Sequence, residues 1–175
     1  MDNQTLHKNK WFWAWDDEKE EAWLREMSRE GWHLSQANLG GSYYFTKGPA
    51  QEYAYRLDYI TTQVKDQQEY LQLFADAGWE HVGAMGGWQY FRKPVQPGES
   101  DEIYTDNQSK ITKYQRVITT LVVFLPIYLI LLRSDLTGRY GDLFFFIKLL
   151  QIFILGVYIF AMLKLIQRIS QLKKG

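Results

Sequence analysis

His33 and His81 are the residues best equipped for acid–base or metal chemistry, and they fall near equivalent places in two similar stretches, Gly31-Trp32-His33 and Gly78-Trp79-Glu80-His81. A symmetric pair of imidazoles could hold a metal or relay a proton. No third ligand is spaced to help them, and half-exposed strand positions beside Trp32 and Trp79 account for both. The acidic run Asp16-Asp17-Glu18 and the pair Glu20-Glu21 could form a carboxylate cluster, yet the helix dipole favours acidic residues at a helix start in any case. Gly40-Gly41 and Gly86-Gly87 precede no helix, so the backbone donors of a phosphate cradle are missing. With no cysteine in the chain, disulfides, thiolate metal sites and cysteine nucleophiles drop out. Nothing pairs a nucleophile with a base. The expectation is a protein that is not an enzyme, with no catalytic residue, no metal and no cofactor.

The rings remain. Seven Trp, twelve Tyr and ten Phe make up 17% of the chain, with the tryptophans concentrated before residue 90. The candidate ligand-binding set is Trp13, Trp15, Tyr53, Tyr55, Asp58, Trp88 and Tyr90. On a strand, alternate residues share a face. Sent inward, these rings are core. Sent outward beside Asp58, Glu52 and Asp16, they make a surface that suits a cation through ring quadrupoles and charge.

The elements that position them come in two copies. Trp23-Leu24, Met27 and Gly31-Trp32 superpose on Tyr70-Leu71, Phe74 and Gly78-Trp79 at one constant spacing. Gly40-Gly41-Ser42-Tyr43-Tyr44-Phe45-Thr46-Lys47 then matches Gly86-Gly87-Trp88-Gln89-Tyr90-Phe91-Arg92-Lys93 at a spacing one residue shorter. Matched blocks in the same order indicate an internal duplication. In the first copy, Trp11 to Trp15 alternates as a strand, Asp16 or Asp17 caps a helix through about Arg29, and Gly31 stops it. Strands over 32–38 and 42–47 flank the Gly-Gly turn. In the second, Tyr53 to Tyr59 alternates, Asp66 caps, Gly78 stops, and two strands flank Gly86-Gly87. The fold expected is α+β: a duplicated strand–helix–strand–strand unit forming a largely antiparallel sheet with two helices on one face, followed by a two-helix transmembrane hairpin. The division is a disordered tail over 1–9, the α+β domain over 10–94 (repeats 10–47 and 53–93), a linker over 95–113, the hairpin over 114–168 and a basic tail over 169–175.

The hairpin rests on two apolar runs. Residues 117–132 carry no charge between Arg116 and Arg133, and residues 143–163 are interrupted only by Lys148 and Gln151. About 20 apolar residues cross the hydrocarbon core of a bilayer, and flanking arginines extend the shorter run by snorkelling. Pro126 is tolerable in such a helix and should bend it, while Lys148 reaches outward to the headgroups. The polar link Ser134 to Asp142 is short, so the helices run antiparallel. Lys110, Lys113 and Arg116 precede the first run and Lys164, Arg168, Lys173 and Lys174 follow the second, against Arg133 and Arg139 between them. The positive-inside rule then puts both termini in the cytoplasm of a multi-pass cell-membrane protein. The polar N-terminus lacks an apolar stretch, which argues against a signal peptide. Residues 1–105 hold ten Lys and Arg against seventeen Asp and Glu, whereas residues 106–175 hold ten against three. An acidic domain is poorly suited to phosphate backbones, so no nucleic acid is expected as a partner.

The motifs W-F-W-x-W-D, E-x-x-W-L-x-x-M-x-x-x-G-W-H-L, Y-x-Y-R-L-D and A-G-W-E-x-V-G…W-x-Y-F-R-K together resemble the DUF2812 family of bacterial proteins over about residues 8–115. The resemblance implies C-terminal transmembrane segments and, through members encoded beside PadR-type transcriptional regulators, a link to envelope or drug response. It brings no catalytic residue. The doubled strand–helix–strand–strand unit is also similar in topology to GyrI-like effector-binding domains, where an aromatic groove with an acidic group accepts cationic amphiphiles; no motif carries that likeness. Two functions are therefore expected: a membrane-anchored module that binds a cytosolic regulatory protein, or a sensor that binds a lipophilic cation in an aromatic groove.

Overall fold

Glycine sets the point at which each soluble helix hands the chain to a strand. Gly31 and Gly78 take positive φ, 79° and 82°, the left-handed backbone that strains any residue with a Cβ. The computed structural model describes residues 4–61, 64–104, 106–133 and 141–174. Its elements are β1 (Thr5–Asn9), α1 (Asp17–Arg29), β2 (Trp32–Asn38), β3 (Ser42–Lys47), β4 (Tyr53–Tyr59), α2 (Val64–Asp76), β5 (Glu80–Met85), β6 (Trp88–Pro94), α3 (Asn107–Arg133) and α4 (Gly141–Leu172). They divide into two units, Met1–Ser109 and Lys110–Gly175.

The first unit contains two antiparallel three-stranded sheets, ordered β1-β3-β2 and β4-β6-β5. The single sheet expected is thus replaced by two of the same internal order. Each also carries a register shift in the strand after its helix, between Leu34 and Gln36 in one and between His81 and Gly83 in the other. Side chains meet edge amides of both sheets. At the β4 edge, the Tyr53 amide donates to Ser28 Oγ (3.1 Å) and the Leu57 amide to Glu21 Oε1 (2.8 Å). At the β2 edge, the Leu34 amide donates to the Tyr55 hydroxyl (3.3 Å). Edge donors met by side chains need no neighbouring strand.

The two helices do not share a sheet face either, as the sequence had suggested. Leu24 and Met27 of α1 are buried with Tyr43 and Phe45 of the first sheet and Tyr55, Leu57 and Tyr90 of the second. Phe74 of α2 is buried with Ala54, Trp79 and Phe91. Because Tyr55 and Tyr90 neighbour Ala54 and Phe91 along their strands, the second sheet is apolar on both faces. Burying each such ring or aliphatic chain contributes roughly 1.5–3 kcal/mol.

Three boundaries differ from expectation. The first strand is Thr5–Asn9, inside the stretch expected as a disordered tail, and residues 11–15 are a connector. A mostly exposed edge strand leaves no apolar alternation to read, and a connector with Phe12 turned inward between outward tryptophans imitates one. Asp16 stands at the N-cap position of α1 but makes no side-chain cap bond; its carboxylate accepts from Lys19 Nζ at 2.6 Å. Asp66, the other expected cap, lies inside α2. The expected linker is strapped to the first unit: Lys93 pairs with Glu99 (2.7 Å), Arg25 with Asp101 (2.9 Å) and Arg56 with Glu102 (3.0 Å). Ile103 packs against the Phe74–Phe91 core.

In the second unit, α3 and α4 are each long and apolar enough to cross a membrane. At 1.5 Å per residue, the 27 residues of α3 span about 40 Å, against about 30 Å of hydrocarbon. Gln151 donates to the Leu131 carbonyl (3.3 Å), the Tyr128 hydroxyl donates to the Gln151 carbonyl, and Arg168 Nε donates to the Tyr114 hydroxyl (3.5 Å). These pairings make the helices antiparallel, with Gln151 joining them rather than facing outward alone. Residues 134–140 of the expected outer loop lie outside the described residues.

Candidate functional site

The connector from β1 to α1, residues 10–16, carries three tryptophans, Trp11, Trp13 and Trp15. The Lys10 amide donates to the Gly41 carbonyl (2.7 Å) and the Asp16 amide to the Trp13 carbonyl (2.8 Å), closing a turn. Phe12 points inward, its ring 5.6 Å from Trp23 and 6.3 Å from Tyr43. Trp13 stacks on Trp15 at 5.2 Å with planes 3° apart, and Trp11 meets Trp13 edge-on at 5.5 Å. Trp11 is nevertheless 60% exposed and Trp13 42%. Leu39, 79% exposed, lies in the β2–β3 turn, and a Cβ on Gly86 of the β5–β6 turn would come within 3.3 Å of it. One end of the unit therefore presents an ordered apolar rim.

A cavity of about 70 Å³ opens beside Trp13. Phe12, Trp13 and Ala14 of the connector, Asp17 and Glu20 of α1, Leu57 of β4, and Met85 and Trp88 of the second hairpin line it. Trp88 is braced edge-on by Tyr59 at 5.3 Å. Gly87 is required there, since a Cβ would fall 2.7 Å from the Tyr59 ring.

Glu20 is 5% exposed, and its Oε1 accepts from the Tyr43 and Tyr90 hydroxyls, each at 2.7 Å. One carboxylate thus ties a strand of each sheet to α1. Burial pushes its carboxyl above the usual range; the bonds from Tyr90 and Tyr43 pull the other way, and the nearby Asp17 charge adds to the rise. Both phenols are pushed upward in turn, by burial first and then by Glu20, so they remain donors.

The candidate residues divide on this geometry. Trp13 and Trp88 line the cavity, Trp15 backs Trp13, and Tyr90 reaches it through Glu20. Tyr53 lies at the other end of β4, under the Arg92 guanidinium at 5.1 Å. Tyr55 is wholly buried between the sheets. Asp58 is buried on the face towards α2, where it accepts from the Tyr70 hydroxyl at 2.8 Å. Glu52 belongs to Arg25 and Arg29 instead.

The histidines are not symmetric. His33 pairs with Thr46, whereas His81 pairs with Phe91, the counterpart of Phe45, which faces Leu34. Their Nε2 atoms contact the Pro49 carbonyl and Gln89 Oε1, both at 2.9 Å.

Sequence reasoning missed Glu20 and Glu21 by assigning them to the helix dipole. Their spacing held the signal: Asp17, Glu20, Leu24 and Met27 recur at the three- and four-residue steps of one helix face, so the carboxylates share the buried stripe.

A family model described as a protein of unknown function (DUF2812) matches residues 16–125. No curated protein and no solved structure matches the chain.

Proposed function

Because the chain belongs to the DUF2812 family, a family of unknown function, we propose that it is a membrane-anchored interaction module whose first unit recognises a cytosolic regulatory protein. The observation that carries this reading is the exposure of Trp11 and Trp13 on a connector held by backbone bonds and by the inward Phe12. Tryptophans fixed before binding lose little entropy on contact and dominate the energetics of many interfaces. The shared strand order and register shift of the two sheets support an internal duplication, in which the first copy carries the tryptophans of residues 11–15 before its helix. The apolar helices supply the anchor, and the Lys and Arg count supports a hairpin with both termini on the cytoplasmic side. Catalysis forms no part of this reading.

The test replaces Trp11 and Trp13 together by Ala in the full chain in its membrane. Cross-linked complexes should disappear while the melting temperature of the first unit stays within a few degrees, since Trp11 is mostly solvated and Trp13 stacks on neighbouring tryptophans rather than in the core. Complexes that survive the double substitution would remove the connector from the interface.

A sensor for drug-sized lipophilic cations finds less support. Sites for such ligands measure about 300–1,000 Å³, whereas the cavity at Trp13 holds about 70 Å³. A smaller cationic group fits better.

A further inference from the structure

Cavity size, ring walls and the buried carboxyl of Glu20 point to a ligand at a site that shares only Trp13 with the exposed rim. A water's share of liquid volume is about 30 Å³, so a cavity of about 70 Å³ has room for a small head group. Its walls are the rings of Phe12, Trp13 and Trp88 with Leu57 and Met85, and its polar side is Asp17 and Glu20, which are both buried. Among the described residues Glu20 makes no ion pair; its partners are the neutral hydroxyls of Tyr43 and Tyr90, both on Oε1. A carboxylate taken out of water without a cation is an expensive arrangement. Aromatic faces beside it attract positive charge through their quadrupoles.

The lining also selects among cations. Calcium needs six to eight oxygen ligands and magnesium a near-octahedral oxygen shell, which two carboxylates among rings do not supply. A quaternary head with long chains exceeds the space. A primary ammonium donates three hydrogen bonds from one small centre, and an alkyl stem matches the apolar wall that Trp13 carries out to solvent.

We propose that this cavity binds a primary ammonium group on an unbranched alkyl stem, with the ammonium against Asp17 and Glu20 and the stem beside the Trp13 and Trp88 rings. The group is either a free alkylamine or a lysine side chain presented by another molecule. This site shares Trp13 with the docking rim, but Glu20 and Trp88 belong to the cavity and Trp11 to the rim, so Glu20→Gln and Trp11→Ala separate the failure of one from the failure of the other. The titratable groups facing Glu20 are Asp17 on its own helix, Tyr43 on β3 and Tyr90 on β6. The two phenols keep their protons at ordinary pH, so binding should release a proton from Glu20 and tighten as pH rises.

The full chain in detergent or nanodiscs is titrated with n-butylammonium and with N-acetyl-lysine amide, reading heat in two buffers of different ionisation enthalpy together with tryptophan fluorescence. Saturable binding accompanied by proton release is expected, and tetrabutylammonium or potassium at equal concentration should give none. Butylammonium binding the more tightly identifies a free amine, and equal or tighter binding of the lysine derivative identifies a side chain. Glu20→Gln keeps an acceptor for both tyrosines and should weaken binding about tenfold or more, with the pH dependence reduced. Trp88→Leu, which leaves the carboxylates in place, should weaken it as well. No saturable signal from either amine below about 10 mM, which is weaker than any useful affinity, overturns the proposal. So does binding that Glu20→Gln leaves unchanged, or equal binding of potassium.

Discussion

Glu20 shows how one side chain can carry several levels of the structure. Its carboxylate meets a hydroxyl from each sheet, so removing it strands two buried donors. Glu20→Leu should cost about 1–3 kcal/mol for each stranded hydroxyl, measured by denaturant unfolding of the full chain. Glu20→Gln retains the acceptor and should cost far less. The pH dependence has a definite sign. A carboxyl raised above its ordinary 4.5 holds its proton more tightly folded than unfolded, so its contribution is fully present below that value and fades as pH rises through the raised one. Stability should therefore fall over that window in the wild type and stay flatter in Glu20→Gln. Glu52, held low by hydrogen bonds from Arg29 and Arg25, acts in the opposite sense as pH falls, and the difference between the two proteins cancels it. The residue itself was legible in the helical spacing of Asp17, Glu20, Leu24 and Met27. Its tyrosine partners were not, because they depend on how two sheets meet.

Local signals located most of the elements, and tertiary contacts decided where they packed. Glycine stops, Gly-Gly turns and period-two runs mark β2, β3 and β4 at the observed residues and place β5 and β6 on either side of Gly86-Gly87. β1 was missed because Thr5–Asn9 is a polar edge strand, and the neighbouring tryptophans drew the assignment to themselves. Placing α1 along β4 required knowing that Ser28 and Glu21 accept edge amides, which no periodicity reveals. That contact is open to a direct test. Ser28→Ala should destabilise the fold by about 1 kcal/mol. Glu21→Ala should cost more, about 3 kcal/mol, because it strands the Leu57 amide and removes a carboxylate 3.6 Å from the largely buried Arg56. No loss from either substitution in urea midpoints would contradict the edge-sealing role. The strap over Glu99 to Ile103 also belongs to this scale, since its acidic residues found Lys93, Arg25 and Arg56 only once the sheets had brought those cations together.

At the scale of the whole molecule, an acidic unit and a basic apolar pair share one chain. The charge split was plain in the sequence, as were the two apolar runs, because membrane-length hydrophobicity needs no tertiary context. The orientation proposed from the Lys and Arg distribution is testable: a single cysteine at Gly138 should react with an impermeant thiol reagent on intact cells, and one at Lys174 only after permeabilisation. The reverse pattern would invert the hairpin. The first unit is proposed to recognise its partner through the tryptophan connector. A photo-crosslinking residue at Trp11, and separately at Leu73 on α2, which is 68% exposed, tests that claim most directly in membranes from growing cells. Cross-linking to a discrete protein from position 11, with none from position 73, is the predicted result. Equal cross-linking from both positions, or none from position 11, would contradict it.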